Sequence, residues 1–189
     1  MTPEQGGKGP LRGALVLRVA RAQSGDRAAL EALLRDHQQP LYRHVRTITG
    51  DGDLAFDVLQ SVLLIIARRL SGLKDPRWFR AWAYRIATRE AVRAGRRRRR
   101  DLSLRDDPAP IDEAAVETPF VDPLLMRACA DRLAELPAAA EITLRLHYLE
   151  EMTLAEIAEA LEVPLGTVKS RLAYGLASLR ERLGPMVSG

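Results

Sequence analysis

The sequence predicts an all-α protein of two small helical domains joined by a flexible acidic linker, and three observations predict it. Ala, Leu and Arg are abundant in its 189 residues, aromatics make up only 5%, and strand signals are scarce, which favours helices. Apolar residues return at helical spacing in both halves of the chain. Charge is partitioned: residues 11–100 carry 20 Lys or Arg against 8 Asp or Glu, residues 101–122 carry 1 against 7, and residues 123–189 carry 7 against 9. A basic first half reads as a surface for a polyanion, and an acidic segment between two helical halves reads as a linker that avoids nucleic acid or mimics it.

Residues 1–10 contain Gly and Pro and are expected to be a disordered terminus. The first helical domain is then expected over 11–100. Leu30, Leu33, Leu34, His37 and Leu41 share one helix face. After the Gly50-Asp51-Gly52-Asp53 turn, Ala55, Val58, Leu59, Val62, Leu63, Ile66 and Leu70 form the core face of a longer helix. A loop, Ser71-Gly72-Leu73-Lys74-Asp75-Pro76, precedes a helix with Trp78, Phe79, Trp82 and Ile86 on one side. Arg85, Arg89 and Arg93 recur at i, i+4 and i+8 on another side, and the helix closes on Arg96 to Arg100, five consecutive arginines. Residues 101–122 lose all period in favour of Asp, Pro and Ala, as a linker does.

The last domain is expected over 123–185. One helix runs to about Leu136 and a second, after Pro137, carries Ala139, Ile142, Leu146 and Leu149. The stretch from Thr153 to Arg182 then spells two amphipathic helices and a tight turn, the sequence form of a helix-turn-helix. Thr153 and Glu156 make a capping box, and Leu154, Ile157, Ala158 and Leu161 form the stripe of the first helix. Glu162 to Gly166 supplies the break: Pro164 cannot continue the first helix, and Gly166 lies where the next one opens. In the second helix Val168, Leu172, Leu176, Leu179 and Leu183 face inward, which turns Thr167, Lys169, Ser170 and Tyr174 outward with Arg171 on the flank. Gly175 is expected on the buried side, at a close helix crossing.

Composition and spacing also exclude. Cys129 is the one cysteine, so there is no internal disulfide framework, and His37, His44 and His147 lie too far apart for a zinc spacing. Cys129 is expected to be a small buried apolar residue. The run Gly13 to Ala20 is too short for a bilayer, so a soluble cytoplasmic protein is expected. No nucleophile with its base, paired carboxylates, metal cluster or phosphate-cradling loop can be assembled. The chain is expected to be no enzyme and to use neither cofactor nor metal.

Four blocks in order resemble the extracytoplasmic-function sigma factors of the sigma-70 family: Pro40 to Val45 with Gly50-Asp51, Ala55 to Gln60, Phe79 to Ala87, and Glu156 to Ala158 with Gly166 to Arg171. The resemblance spans nearly the whole chain after residue 20. It implies a subunit that binds bacterial core RNA polymerase, melts the promoter −10 element with the first domain and reads the −35 element with the last. Carried over, Asp57, Gln60, Ser61 and Leu64 would contact the clamp helices of the largest polymerase subunit. Arg77, Trp78, Phe79, Arg80, Tyr84, Arg85, Arg89 and Arg93 would hold and melt the −10 element, bases stacking on aromatics while arginines grip phosphate.

Within that set, Trp78 and Tyr84 are the aromatics expected at the surface, Trp82 is expected in the core, and the Gly72 to Pro76 loop resembles one that receives a flipped-out base. Thr167, Lys169, Ser170, Arg171 and Tyr174 would read the −35 element, Arg171 and Lys169 foremost. Family habit and charge complementarity imply that an anti-sigma protein, or the acidic linker, covers the basic first domain in the free protein. Phe56, Thr88-Arg89-Glu90 and Tyr174-Gly175 depart from the family pattern. A stand-alone helix-turn-helix regulator of the LuxR type would share the last 40 residues but would not explain Asp57 to Gln60 or the arginine helix. A sigma-fold interaction protein without promoter activity is the other alternative.

Overall fold

The structure, a computed structural model, describes residues 10–101 and 132–183. The expectations for residues 1–9, for the linker beyond Asp101, for Cys129, and for the side chains of Arg98 to Arg100 and Leu183 lie outside what is described. Among the described residues there are seven α-helices and no strand, an all-α fold. They form two compact units.

The first unit contains α1 (Pro10–Gln23), α2 (Arg27–Thr49), α3 (Gly52–Arg69) and α4 (Phe79–Asp101). The entries of α2 and α3 are each fixed by an aspartate: Asp26 accepts from the Ala29 N–H and Asp51 from the Leu54 N–H, both at N-caps. Gly50 ends α2 in the left-handed region at φ 69°, which lets α3 turn back on it. Pro40 lies inside α2 and does not end it. The core is Leu33, Leu41, Val45, Ala55, Leu59, Val62, Ile66, Phe79, Ala87 and Ala91, all buried.

Two short 3₁₀ turns, Leu70–Gly72 and Pro76–Trp78, build the connection from α3 to α4. Asp75 caps the second through the Arg77 N–H, so the regular helix opens at Phe79 rather than at Pro76.

The second unit contains a 3₁₀ turn at Arg132–Glu135, α5 (Ala138–Leu144), a π-helical turn at Arg145–Leu149, α6 (Leu154–Leu161) and α7 (Leu165–Leu183). Leu133, Leu136, Leu144, Tyr148, Leu172, Leu176 and Leu179 form its core. The Thr153–Glu156 capping box is made in both directions: Glu156 N–H donates to Thr153 Oγ1, and Thr153 N–H donates back to the Glu156 carboxylate at 2.7 Å. The turn into α7 matches the expectation that Gly166 lies where the second helix opens. Glu162, at φ 57°, is the left-handed residue that ends α6, and Gly166 stands exposed in the first turn of α7. Gly175 does stand at a close crossing, because a Cβ there would meet Leu144 Cδ1 at 2.7 Å and Ala140 Cβ at 3.3 Å.

Candidate nucleic-acid interface

Three surfaces follow from this packing, two on the first unit and one on the second. Burial of Ala55, Val58, Leu59, Val62 and Ile66 turns the opposite face of α3 to solvent. Asp57, Gln60, Ser61 and Leu64, at i, i+3, i+4 and i+7, all emerge there and are exposed. Phe56 adjoins them and is exposed as well. A sequence reading by residue type alone would have put Phe56 in the core; its place in the helical period, one residue after buried Ala55, is the signal against that.

The second surface is the start and outer side of α4. Trp78 is 43% exposed. Phe79 and Tyr84, expected among the melting aromatics, are each only 1% exposed, which corrects both assignments. The reason is α2: His37 meets the Phe79 ring edge-on at 5.0 Å and His44 meets the Tyr84 ring edge-on at 5.1 Å. Both rings are filled core positions, so neither can stack on a base without opening the unit. Trp82 is half-buried and tilted against Phe79.

Arg77, Arg89 and Arg93 are exposed, whereas Arg80 and Arg85 are half-buried. Arg77 is held by Asp75, whose carboxylate takes both its Nε and its terminal nitrogen at 3.0 and 2.7 Å. That pairing pulls the Asp75 carboxyl below its usual range and raises Arg77. Arg93 lies 4.0 Å from Glu90 and is the looser of the two.

Behind this surface the α4 core is held by a buried relay. His44 Nε2–H donates to Thr88 Oγ1 at 2.9 Å, and Thr88 donates to the Tyr84 carbonyl at 2.8 Å. Burial lowers His44 to about 3, and burial likewise lowers His37.

The third surface is the first half of α7. Lys169 and Tyr174 are exposed and Thr167 is half-buried. Ser170, expected to face outward, is only 9% exposed and donates to the Thr167 carbonyl at 3.1 Å. Its hydroxyl is satisfied within the helix, so it does not read DNA from here. Arg171 is half-buried, its Nε is enclosed without a hydrogen-bond partner, and burial lowers its pKa. Leu165, at the first turn of α7, is exposed. It was not expected there, and an exposed leucine beside Lys169 suits the methyl of a thymine.

Among the described residues no group of His, Cys, Asp or Glu could hold a metal ion, and no helix is long and apolar enough to cross a membrane.

Two family models match the chain: "Sigma-70 region 2" over residues 33–101 and "Sigma-70, region 4" over residues 132–181. The chain is 31% identical over 168 residues to the ECF RNA polymerase sigma factor SigL of Mycobacterium tuberculosis, an alignment covering 86% of this chain and 93% of that one. It is 25% identical over 177 residues to the ECF RNA polymerase sigma factor SigW of Bacillus subtilis, covering 88% and 95%. The solved structure of CnrH in complex with the cytosolic domain of CnrY has a similar fold, with a TM-score of 0.59 at 23% identity over 90% of this chain and 97% of that one.

Proposed function

The chain belongs to the sigma-70 family, as an ECF RNA polymerase sigma factor, and from that membership we propose how its surfaces divide the work of promoter recognition. The α3 face of Asp57, Gln60, Ser61 and Leu64, with Phe56 added, docks on core RNA polymerase. The Trp78 end of α4 engages the −10 element, Trp78 stacking on an unpaired base while Arg77, Arg80, Arg85, Arg89 and Arg93 bind phosphate. Phe79 and Tyr84 act one layer below, as the buried rings that hold α4 against α2. In the second unit Lys169, Arg171 and Tyr174, with Thr167 at the edge, read the −35 element in the major groove.

The observation that supports this reading best is the separation of two exposed faces on one small unit. One is a mixed apolar and polar helix face suited to protein, and the other is an exposed tryptophan with cations suited to single-stranded DNA. The chain itself carries out no catalysis in this reading, and it works in the cytoplasm, where core polymerase is. A protein partner that covers the basic unit between rounds of initiation fits the charge distribution.

Equilibrium binding of the labelled full chain to bacterial core RNA polymerase tests the reading. Tight binding that weakens in Asp57→Ala and Gln60→Ala is the expected result. A folded chain that does not bind core polymerase would instead be a sigma-fold interaction protein.

A further inference from the structure

The connection from α3 to α4 carries Trp78 and the Asp75–Arg77 pair, yet few of its own groups fix it. Within it, the Leu73 N–H closes the first turn on the Leu70 carbonyl at 3.1 Å, and the Trp78 N–H closes the second on the Asp75 carbonyl at 3.0 Å. Ser71, Gly72 and Lys74 between them are exposed. A further tie comes from far away in sequence. Gln23, the last residue of α1, donates its side-chain amide to the Leu70 carbonyl at 2.9 Å and to the Leu73 carbonyl at 2.7 Å.

The geometry defines the chemistry. Both partners are carbonyl oxygens, so only the amide nitrogen can face them, and it spends both of its hydrogens there. The two carbonyls flank the first turn, one at each end, so a single side chain spans the turn that leads into Lys74, Asp75 and Trp78. Gln23 is half-buried, which strengthens the bonds relative to water without sealing them off. α1 packs directly against both short turns, so the anchor is itself backed by a helix.

We propose that Gln23 is a positioning residue for DNA engagement: it braces the Leu70–Leu73 turn from α1 and so presents Trp78 to an unpaired base. The proposal rests on the reading of the Trp78 surface given above and adds α1 to the machinery. Gln23 touches no DNA. It acts by keeping the turn in one arrangement, so that binding does not have to order it first.

The test uses the full chain assembled with core polymerase and two substitutions that differ only in what position 23 offers. Gln23→Glu keeps the shape but presents acceptors to two acceptors. Gln23→Lys restores donors. Holoenzymes are used to select from a randomised single-stranded DNA library, and the exchange of backbone amides in residues 70–78 is followed on the free chain.

The expected result is that Gln23→Glu raises exchange at Leu73 by about tenfold and flattens the base preference of the selected DNA. Affinity for core polymerase stays unchanged, and Gln23→Lys restores both wild-type behaviours. Equal exchange and equal base preference in wild type and Gln23→Glu would overturn the proposal, as would a Gln23→Lys chain that behaves like Gln23→Glu. Failure of the wild-type chain to assemble with polymerase would count against the sigma-factor surfaces instead, and the exchange measurement would still decide whether Gln23 braces the turn.

Discussion

At the scale of residues, the informative side chains are those whose burial contradicts their chemistry. His44 is buried, and its pKa is lowered from 6.5 to about 3 because burial takes the charged imidazolium out of water. Between those two values the folded chain binds fewer protons than the unfolded one. Stability is therefore fully present above about pH 6.5 and falls as the pH drops toward 3, with a slope approaching ~1.4 kcal/mol per pH unit. Urea unfolding followed from pH 7 to pH 4.5 should show this decline. In His44→Phe, which keeps a ring edge against Tyr84, the decline should shrink to what His37 still contributes. Arg171 carries the opposite tension, a charge kept although its Nε is enclosed without a partner. Arg171→Ala should cost about 1–3 kcal/mol on the preferred −35 sequence and much less on unrelated DNA if its guanidinium reads a base. An equal loss on all sequences, measured by competition binding, would make it a phosphate contact.

Helices decide which of these residues meet. The two histidines of α2, seven apart, take the two rings of α4, five apart, and the pairs advance in the same order along both helices. That register removes Phe79 and Tyr84 from the surface and leaves Trp78 as the aromatic at the head of α4. In the second unit the crossing of α5 and α7 depends on Gly175, which has no side chain to hold the helices apart. Gly175→Ala gains helix propensity of about 1 kcal/mol but drives a methyl into buried Leu144, an overpacking that costs about 1–3 kcal/mol. A net loss of stability is expected in urea titration of the variant. A gain would mean that the crossing relaxes freely. Helical period made the core faces of α2, α3 and α7 readable in advance. It misplaced Ser170, because at a helix flank a small hydroxyl that bonds its own backbone is as content inside as outside.

At the scale of the whole molecule, two compact units with separate cores should unfold as separate cooperative steps. Both histidines with lowered pKa values, His37 and His44, belong to the first unit. Acidification from pH 7 to 5 should therefore lower the urea midpoint of one transition and leave that of the other nearly unchanged, whereas Gly175→Ala should move only the second. A single transition displaced by both changes would show that the units fold as one. The chain's own pattern carried the helical class, the capped helix-turn-helix, the core faces and the exposed Asp57, Gln60, Ser61 and Leu64. These depend on local spacing and on which face of one helix is apolar. Packing between elements set the burial of Phe79, Tyr84 and Ser170, the partial dehydration of Arg171 and the reach of Gln23 to the Leu70–Leu73 turn. Each of those facts depends on what a second element, distant in sequence, places against the residue, and no period along one helix encodes that.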